Sequence, residues 1–293
     1  MARTRARRVR EHHGIVYAHD GAHMFCAGQV AAPDTCADAI RDAYLNALGL
    51  LVDLGYRSVF RLWNFIGRIN EANSQGLEVY RDFCLGRAAA FDSHALRTAD
   101  VPAATGIGSL GDGIAFCLLA CRRGRVTGVE NPRQIPAYHY PSRYGPSSPR
   151  FARATHVRSP GAPESEGRIY VSGTASILGH ESKHAGDVKA QCRVAIENIA
   201  SVISPHNLAV NGLRGDCGLN RVRTAKVYVR RRVHMPLVRH ICEEALPPAA
   251  DVVYLNVDIC RSELLVEIEA IADCLPPTAG GSGPSPASHR QAS

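Results

Sequence analysis

No window of the chain approaches the ~18 consecutive apolar residues that a membrane-spanning helix needs. No two cysteines stand at C-x-x-C spacing. They fall at 26, 36, 84, 117, 121, 192, 217, 242, 260 and 274, a scatter that speaks against a zinc ribbon or a disulfide framework and for reduced thiols acting as small buried hydrophobes. A Ser-His-Asp order, a phosphate-cradling glycine loop and a dinucleotide fingerprint are all missing. So is the apolar core of an export signal: MARTRARRVR has adjacent Arg7 and Arg8, but EHHGIVYAHDGAH follows. These absences lead to the expectation of a soluble, cytoplasmic protein. A surplus of positive charge over the body is lacking too. The formal charge is +7, but the first ten residues hold five arginines and no acid, leaving +2 for the other 283, so a nucleic-acid surface is not indicated.

What is present is a pattern that occurs twice. HMFCAGQV reads as a strand, and residues 34–54 as a helix with Ile40, Tyr44, Ala47, Leu48 and Leu51 on one face. RSVFRLWNF is a strand, residues 76–92 a helix, and VPAATGIG and GIAFCLLACRR two more strands. Later, GRIYVSGTASI reads as a strand, and the helix after Asp187 carries Val188, Cys192, Ala195, Ile199 and Val202 at helical spacing. TAKVYVRR is a strand, MPLVRHICEEAL a short helix, and DVVYLNVDI and ELLVEIEAIA close the set. The order is strand, helix, strand, helix, strand, strand both times, the signature of a duplicated α+β unit.

These boundaries divide the chain into units at 11–130 and 154–275. They are joined by a linker, 131–153, with five prolines, four arginines and three tyrosines between Pro132 and Arg153, a density of proline that prevents regular structure. The low-complexity tail, 276–293, is expected to be disordered.

Several stretches offer chemistry. In VEIEA, strand alternation sets Glu267 and Glu269 on one face. That face is either the wetted side of a half-buried strand or the lining of a cleft. GHESKH satisfies H-E-x-x-H with His180, Glu181 and His184, but Gly179 and Gly186 bracket it and Asp187 reads as the cap of the next helix, so a turn is expected rather than a metal-binding helix. Arg133, Arg143, Arg150, Arg153 and Arg230 are singly ordinary loop charges; gathered between two like units they suit carboxylates. Gly173 in SGTAS marks a bulge or a close backbone approach to a ligand, and the sequence leaves both open.

GRIYVSGTASILGHESKHAGDVKAQCRVAIENIASVI, AKVYVR and LLVEIEAIA together resemble the RidA-like fold. NFIGRIN, GLEVYRDFCLGRA, PAATGIG, PSRYGPSSPRFARAT and SGTASILGHESKH extend the likeness, over about residues 55–272, to the chorismatases of secondary metabolism. The resemblance implies a tandem pair of RidA-like units, each a mixed β-sheet with two helices on one face. It implies cleavage of chorismate between the units, with release of pyruvate and without metal or organic cofactor. A glutamate of the last strand serves as the acid, matching Glu267, with Glu269 as fallback and Cys260 beside them. On the substrate side it implies Arg143, Tyr144, Arg150, Arg153, Gly173, Thr174 and Arg230. Gly173 in S-G-T and Cys260, seven residues before Glu267, resemble the 3-hydroxybenzoate-forming subtype. The alternatives are hydrolysis to a dihydroxycyclohexadiene carboxylate and a RidA-like enamine deaminase or metabolite binder. Because one chain supplies the inter-unit cleft, a monomer is expected.

Overall fold

The computed structural model describes residues 8–31, 34–94 and 100–276. The first unit contains β1 (Arg10–His12), β2 (Ile15–His19), β3 (His23–Val30), α1 (Ala37–Asp53), β4 (Ser58–Gly67), α2 (Val79–Ser93), β5 (Ala103–Ser109) and β6 (Ile114–Cys121). The second contains β7 (Arg125–Val129), β8 (Ala154–Arg158), β9 (Gly167–Ala175), the small hairpin β10 (Ile177–Leu178) and β11 (Glu181–Ser182), α3 (Val188–Val202) and α4 (Pro205–Val210). It is completed by β12 (Val222–Val229), α5 (Met235–Ala245), β13 (Asp251–Asn256) and β14 (Val266–Cys274).

The two large sheets have the same topology. The first runs β1-β2-β3-β6-β4-β5 and the second β7-β8-β9-β14-β12-β13. In each, the last strand of the unit inserts between the two that flank the first helix, antiparallel to both, and one outer pair, β4–β5 or β12–β13, is parallel. Parallel neighbours need a crossover, and α2 and α5 supply it. This is a tandem α+β duplication.

The expected helix faces are buried. Ile40, Tyr44, Ala47, Leu48 and Leu51 of α1 enter the first core, and Val188, Cys192, Ala195, Ile199 and Val202 of α3 enter the second. Asp187 caps α3 by accepting a hydrogen bond from the Ala190 N–H at 3.0 Å. Helices α1 and α2 touch at Gly86, where a side chain would run into the Ala37 backbone. All ten cysteines are free, and no helix among the described residues is long and apolar enough to cross a membrane.

With helices on the outer faces, the inner faces of the sheets oppose each other. The free edge of β5 is closed by the second unit rather than by another strand. The Ala103 N–H donates to Thr155 Oγ1 (2.8 Å), the Ala104 N–H to Ser172 Oγ (2.9 Å) and the Gly108 N–H to the Asp258 carbonyl (2.8 Å).

Sequence periodicity did not register four short strands. β1 and β2 form a hairpin ahead of the first expected strand. β7 pairs with β8 inside the second sheet, so a boundary drawn at residue 130 assigns β7 to the unit it does not join, and one at 154 begins that unit at its second strand. Both are five-residue segments or shorter, too brief for alternation to stand out. The linker crosses the cleft in single turns at Ala137–His139 and Ser142–Tyr144. The expected disorder at 277–293 lies outside the described residues.

Candidate active site

Strand β14 sits in the middle of its sheet, so both its faces are covered. Val266, Ile268, Ala270 and Ala272 point into the second core. Glu267 and Glu269 point toward the first unit, 3% and 5% exposed. This is not a wetted face, because the other sheet lies against it.

The two carboxyls have opposite surroundings. Glu269 is ringed by donors: Arg61 Nη2 at 2.6 Å and Thr105 Oγ1 at 2.6 Å on one oxygen, Trp63 Nε1 at 2.8 Å and Lys226 Nζ at 3.1 Å on the other. Burial pushes its pKa up, but Arg61, Lys226 and these hydrogen bonds outweigh burial and hold it below the ordinary carboxylate value. Among the described residues Glu267 has one hydrogen-bond partner, the Cys260 thiol, at a long 3.9 Å. Burial first, and the nearby charge of Glu269 second, push its pKa up to about 8. The pair therefore divides into a fixed anion and a carboxyl that stays protonated at neutral pH.

A bulge in β9 creates this arrangement. Glu267 faces Ala175 and Ile268 faces Thr174, but Ala270 faces Val171, so Ser172 and Gly173 together oppose Glu269. A Cβ on Gly173 would overlap Glu267 Oε1 and lie 2.9 Å from its carboxyl carbon. Gly173 is thus a bulge residue, and its bareness makes room for the Glu267 carboxyl.

Glu267 and Gly173 floor a cavity of ≈ 260 Å³ between the units. Linker and loop residues Arg143, Tyr144, Arg153 and Cys260 line it. The Cys260 thiol, pushed up by burial and then by Glu267, stays protonated. Arg153 is held by donating Nη2 to the Ile135 carbonyl and to Tyr140 Oη, both 2.7 Å. Arg143 donates to His180 Nδ1 at 2.9 Å.

Five of the residues singled out in the sequence stand elsewhere. Arg150 reaches outward to form a two-pronged ion pair with Asp92 on α2, so its charge is committed away from the cleft. Thr174 is buried on the opposite face of β9, its hydroxyl donating to the Ser172 carbonyl at 2.7 Å. Glu269 lies behind the cavity floor, held by Arg61, Trp63 and Thr105 of the first unit and by Lys226 of the second. Arg230 spends its guanidinium on the 258–264 loop and on Asn70, donating to the carbonyls of Ile259, Arg261 and Leu264 at 2.7–2.9 Å, to Asp258 Oδ1 at 2.6 Å and to Asn70 Oδ1 at 2.9 Å. It holds the loop that presents Cys260 and does not line the cavity. Arg133 is likewise outside, paired with Glu197 at 2.8 Å. GHESKH forms the β10–β11 hairpin, not a helix, with Gly179 and His184 at φ +60° and +58°. Among the described residues no three of His, Cys, Asp and Glu gather as a metal site.

Sequence reasoning missed Arg87, Arg261, Tyr80 and Tyr140, all of which line the cavity. Arg87 left a readable signal. It falls between Phe83 and Phe91 at i+4 spacing on the buried stripe of α2, its guanidinium 5.0 and 6.0 Å from those rings. A buried arginine on an apolar stripe needs an anion or a π-face. Arg261 stacks on Tyr144 at 4.0 Å and donates to the His180 carbonyl at 3.0 Å, closing the cleft.

A protonated buried carboxyl at the floor of a cleft with five arginines in its walls is an acid–base site for a small anionic molecule. Residues 2–120 match the family model described as chorismatase FkbO/Hyg5-like, N-terminal. The chain is 58% identical over 261 residues to a 3-hydroxybenzoate synthase of Streptomyces hygroscopicus, covering 89% of this chain and 77% of the relative. It is 46% identical over 260 residues to a chorismatase of Streptomyces rapamycinicus, again covering 89% and 77%. A crystal structure of a chorismatase superposes with a TM-score of 0.87 at 43% identity, over 92% of this chain and 80% of that one. The chain is an enzyme and belongs to the chorismatase family.

Proposed function

We propose that this enzyme cleaves chorismate to 3-hydroxybenzoate and pyruvate, with Glu267 as the proton donor. The observation that carries the assignment is the division of the two carboxyls on β14. Glu267, with its pKa pushed up to about 8, holds a proton at the cavity floor while Glu269 stays ionised behind it.

Cleaving an enol ether begins with proton transfer to its methylene carbon. Glu267 donates that proton, and positive charge develops on the adjacent ether carbon and oxygen. The ring hydroxyl next to the ether then attacks the ether-bearing ring carbon. The ring C–O bond breaks, its electrons complete the ketone of pyruvate, and the hydroxyl proton returns to the Glu267 carboxylate. The resulting epoxide opens and loses a ring proton to give the phenol. No water is consumed, which suits a cleft closed by Tyr140, Tyr144 and Arg261.

Two carboxylates must also be held. Arg81, Arg87, Arg143, Arg153 and Arg261 face the cavity against Glu78, Glu263 and the neutral Glu267, a cationic excess matched to a dianion. Arg87 and Arg153, buried at 3% and 5% exposure, have restricted geometry and are the positioning arginines in this reading. The two units supply the whole cleft within one chain, and a monomer is sufficient for it.

Incubation of the purified chain with chorismate, followed by chromatography, tests the proposal. Equimolar pyruvate and 3-hydroxybenzoate are expected. A folded protein that releases no pyruvate overturns the reading, and a non-aromatic diol in place of the phenol overturns the product assignment.

A further inference from the structure

At the far end of the second unit from the catalytic cleft, the register sets Arg125 of β7 directly opposite Arg158 of β8. Like charges opposite one another on adjacent strands destabilise a sheet unless something lies between them. Neither has a carboxylate partner among the described residues. The same register sets Val129 against Ala154 and Thr127 against His156, so one face runs from the apolar core, through His156, to the arginine pair.

His156 is 2% exposed, and neither ring nitrogen has a hydrogen-bond partner. Its ring packs where Gly167 has no side chain, since a Cβ there would overlap Nε2. Above it is an opening of ≈ 30 Å³ to which Arg125, Arg158 and Arg214 all contribute; a single water needs roughly half of that. The one carboxylate at the opening, Glu164, lies 3.9 Å from Arg214 Nε. Three arginines and an unsatisfied imidazole thus line a space with a single carboxylate among its lining residues.

We propose that this opening binds a small oxyanion, gripped by Arg125 and Arg158 with His156 donating an N–H from the floor. Arginine presents paired donors that match the oxygens of a phosphate or a carboxylate equally well. Arg125, Arg158, Arg214 and Glu164 are the charged groups facing the imidazole. Burial, then Arg158 and Arg125, push the His156 pKa down to about 4. An anion between the arginines reverses the local field and raises it. None of these residues lines the catalytic cavity, so this is a separate binding site, one that ties β7, β8 and the 211–214 loop together.

The test uses the full chain at pH 6.5 and constant ionic strength held with sodium chloride, titrated separately with inorganic phosphate and with pyruvate. The readouts are the melting temperature and the His156 ring resonance. At least one of the two anions, at millimolar concentration, is expected to raise Tm by a few degrees and shift the His156 signal. Whichever acts identifies the site as phosphate- or carboxylate-selective. Arg158→Ala and, independently, Arg125→Gln are expected to weaken binding at least tenfold while leaving chorismate turnover in the absence of added anion unchanged. An unmoved His156 signal with both anions, or a Tm response of equal size in the parent and both variants, overturns the proposal and leaves ordered water as the partner of His156.

Discussion

Gly173 and Glu267 meet across paired strands so closely that the side chain the glycine lacks is the space the carboxyl fills. Gly173→Ala therefore has to displace the Glu267 carboxyl. Its expected effect is a fall in kcat of at least about tenfold, one step on the free-energy scale for a misplaced catalytic group. The product mixture is expected to shift toward the non-aromatic diol as the acid moves relative to the ring. Chromatography of products from the parent and the variant checks both; unchanged kcat and product ratio contradict the crowding argument.

Glu267→Gln removes the transferable proton and keeps the volume. Turnover is expected to fall by roughly 10²–10⁴-fold, the usual contribution of a general acid. The same change stabilises the fold. In the parent the folded-state pKa is about 8, raised from 4.5. The stability associated with this group is complete below pH 4.5 and is lost as pH rises toward 8. At pH 7 the neutral glutamine is favoured by roughly 3 kcal/mol relative to the acid. Thermal unfolding of both proteins at pH 4.5 and pH 7 checks this: the melting temperatures converge at the lower pH and separate at the higher.

The pH profile follows from the same carboxyl. Because the protonated form is the active one, kcat/KM is expected to be level below pH 8 and to fall above it. Glu269→Gln removes the neighbouring charge that helps raise the Glu267 pKa, and it leaves Arg61 to lower it, so the alkaline limb shifts to lower pH. The variant also strands Arg61, a buried cation, at a cost of about 3–5 kcal/mol. Steady-state profiles between pH 5 and 10, with denaturant melts, measure both effects.

Arg230→Ala separates holding a loop from holding a ligand. Arg230 reaches three carbonyls and Asp258 of the 258–264 loop and none of the cavity. The expected loss is mainly in kcat, about 10–100-fold, as Cys260 and Arg261 lose their fixed positions. Arg87→Ala is expected to act mainly on KM. A variant of Arg230 that raises KM alone argues for direct substrate contact.

Periodicity made much of the fold readable. The helical stripes of α1 and α3 and the alternation around Glu267 and Glu269 each reflect one-sided burial, which leaves a period in the sequence. The charge partners left no such trace. Arg150 and Arg230 are the same residue type as Arg153, and nothing local distinguishes an arginine claimed by Asp92 or by loop carbonyls from one facing a cavity. That outcome depends on contacts up to 208 positions apart, such as Arg61 with Glu269. Arg87 is the instructive miss: its charge within the Phe83–Phe91 stripe was visible in the sequence, and the cavity it lines was not.

The shared topology of the sheets carries one last consequence. β6 occupies in the first unit the position that β14 occupies in the second, yet it reads IAFCLLAC, with no carboxylate. In an assembly of identical subunits, an acid installed on that strand would appear in every copy. Covalent duplication breaks that symmetry. One copy of the strand was free to become a buried proton donor, and its counterpart to remain inert support, so each chain commits a single ionisable group to the chemistry instead of repeating it.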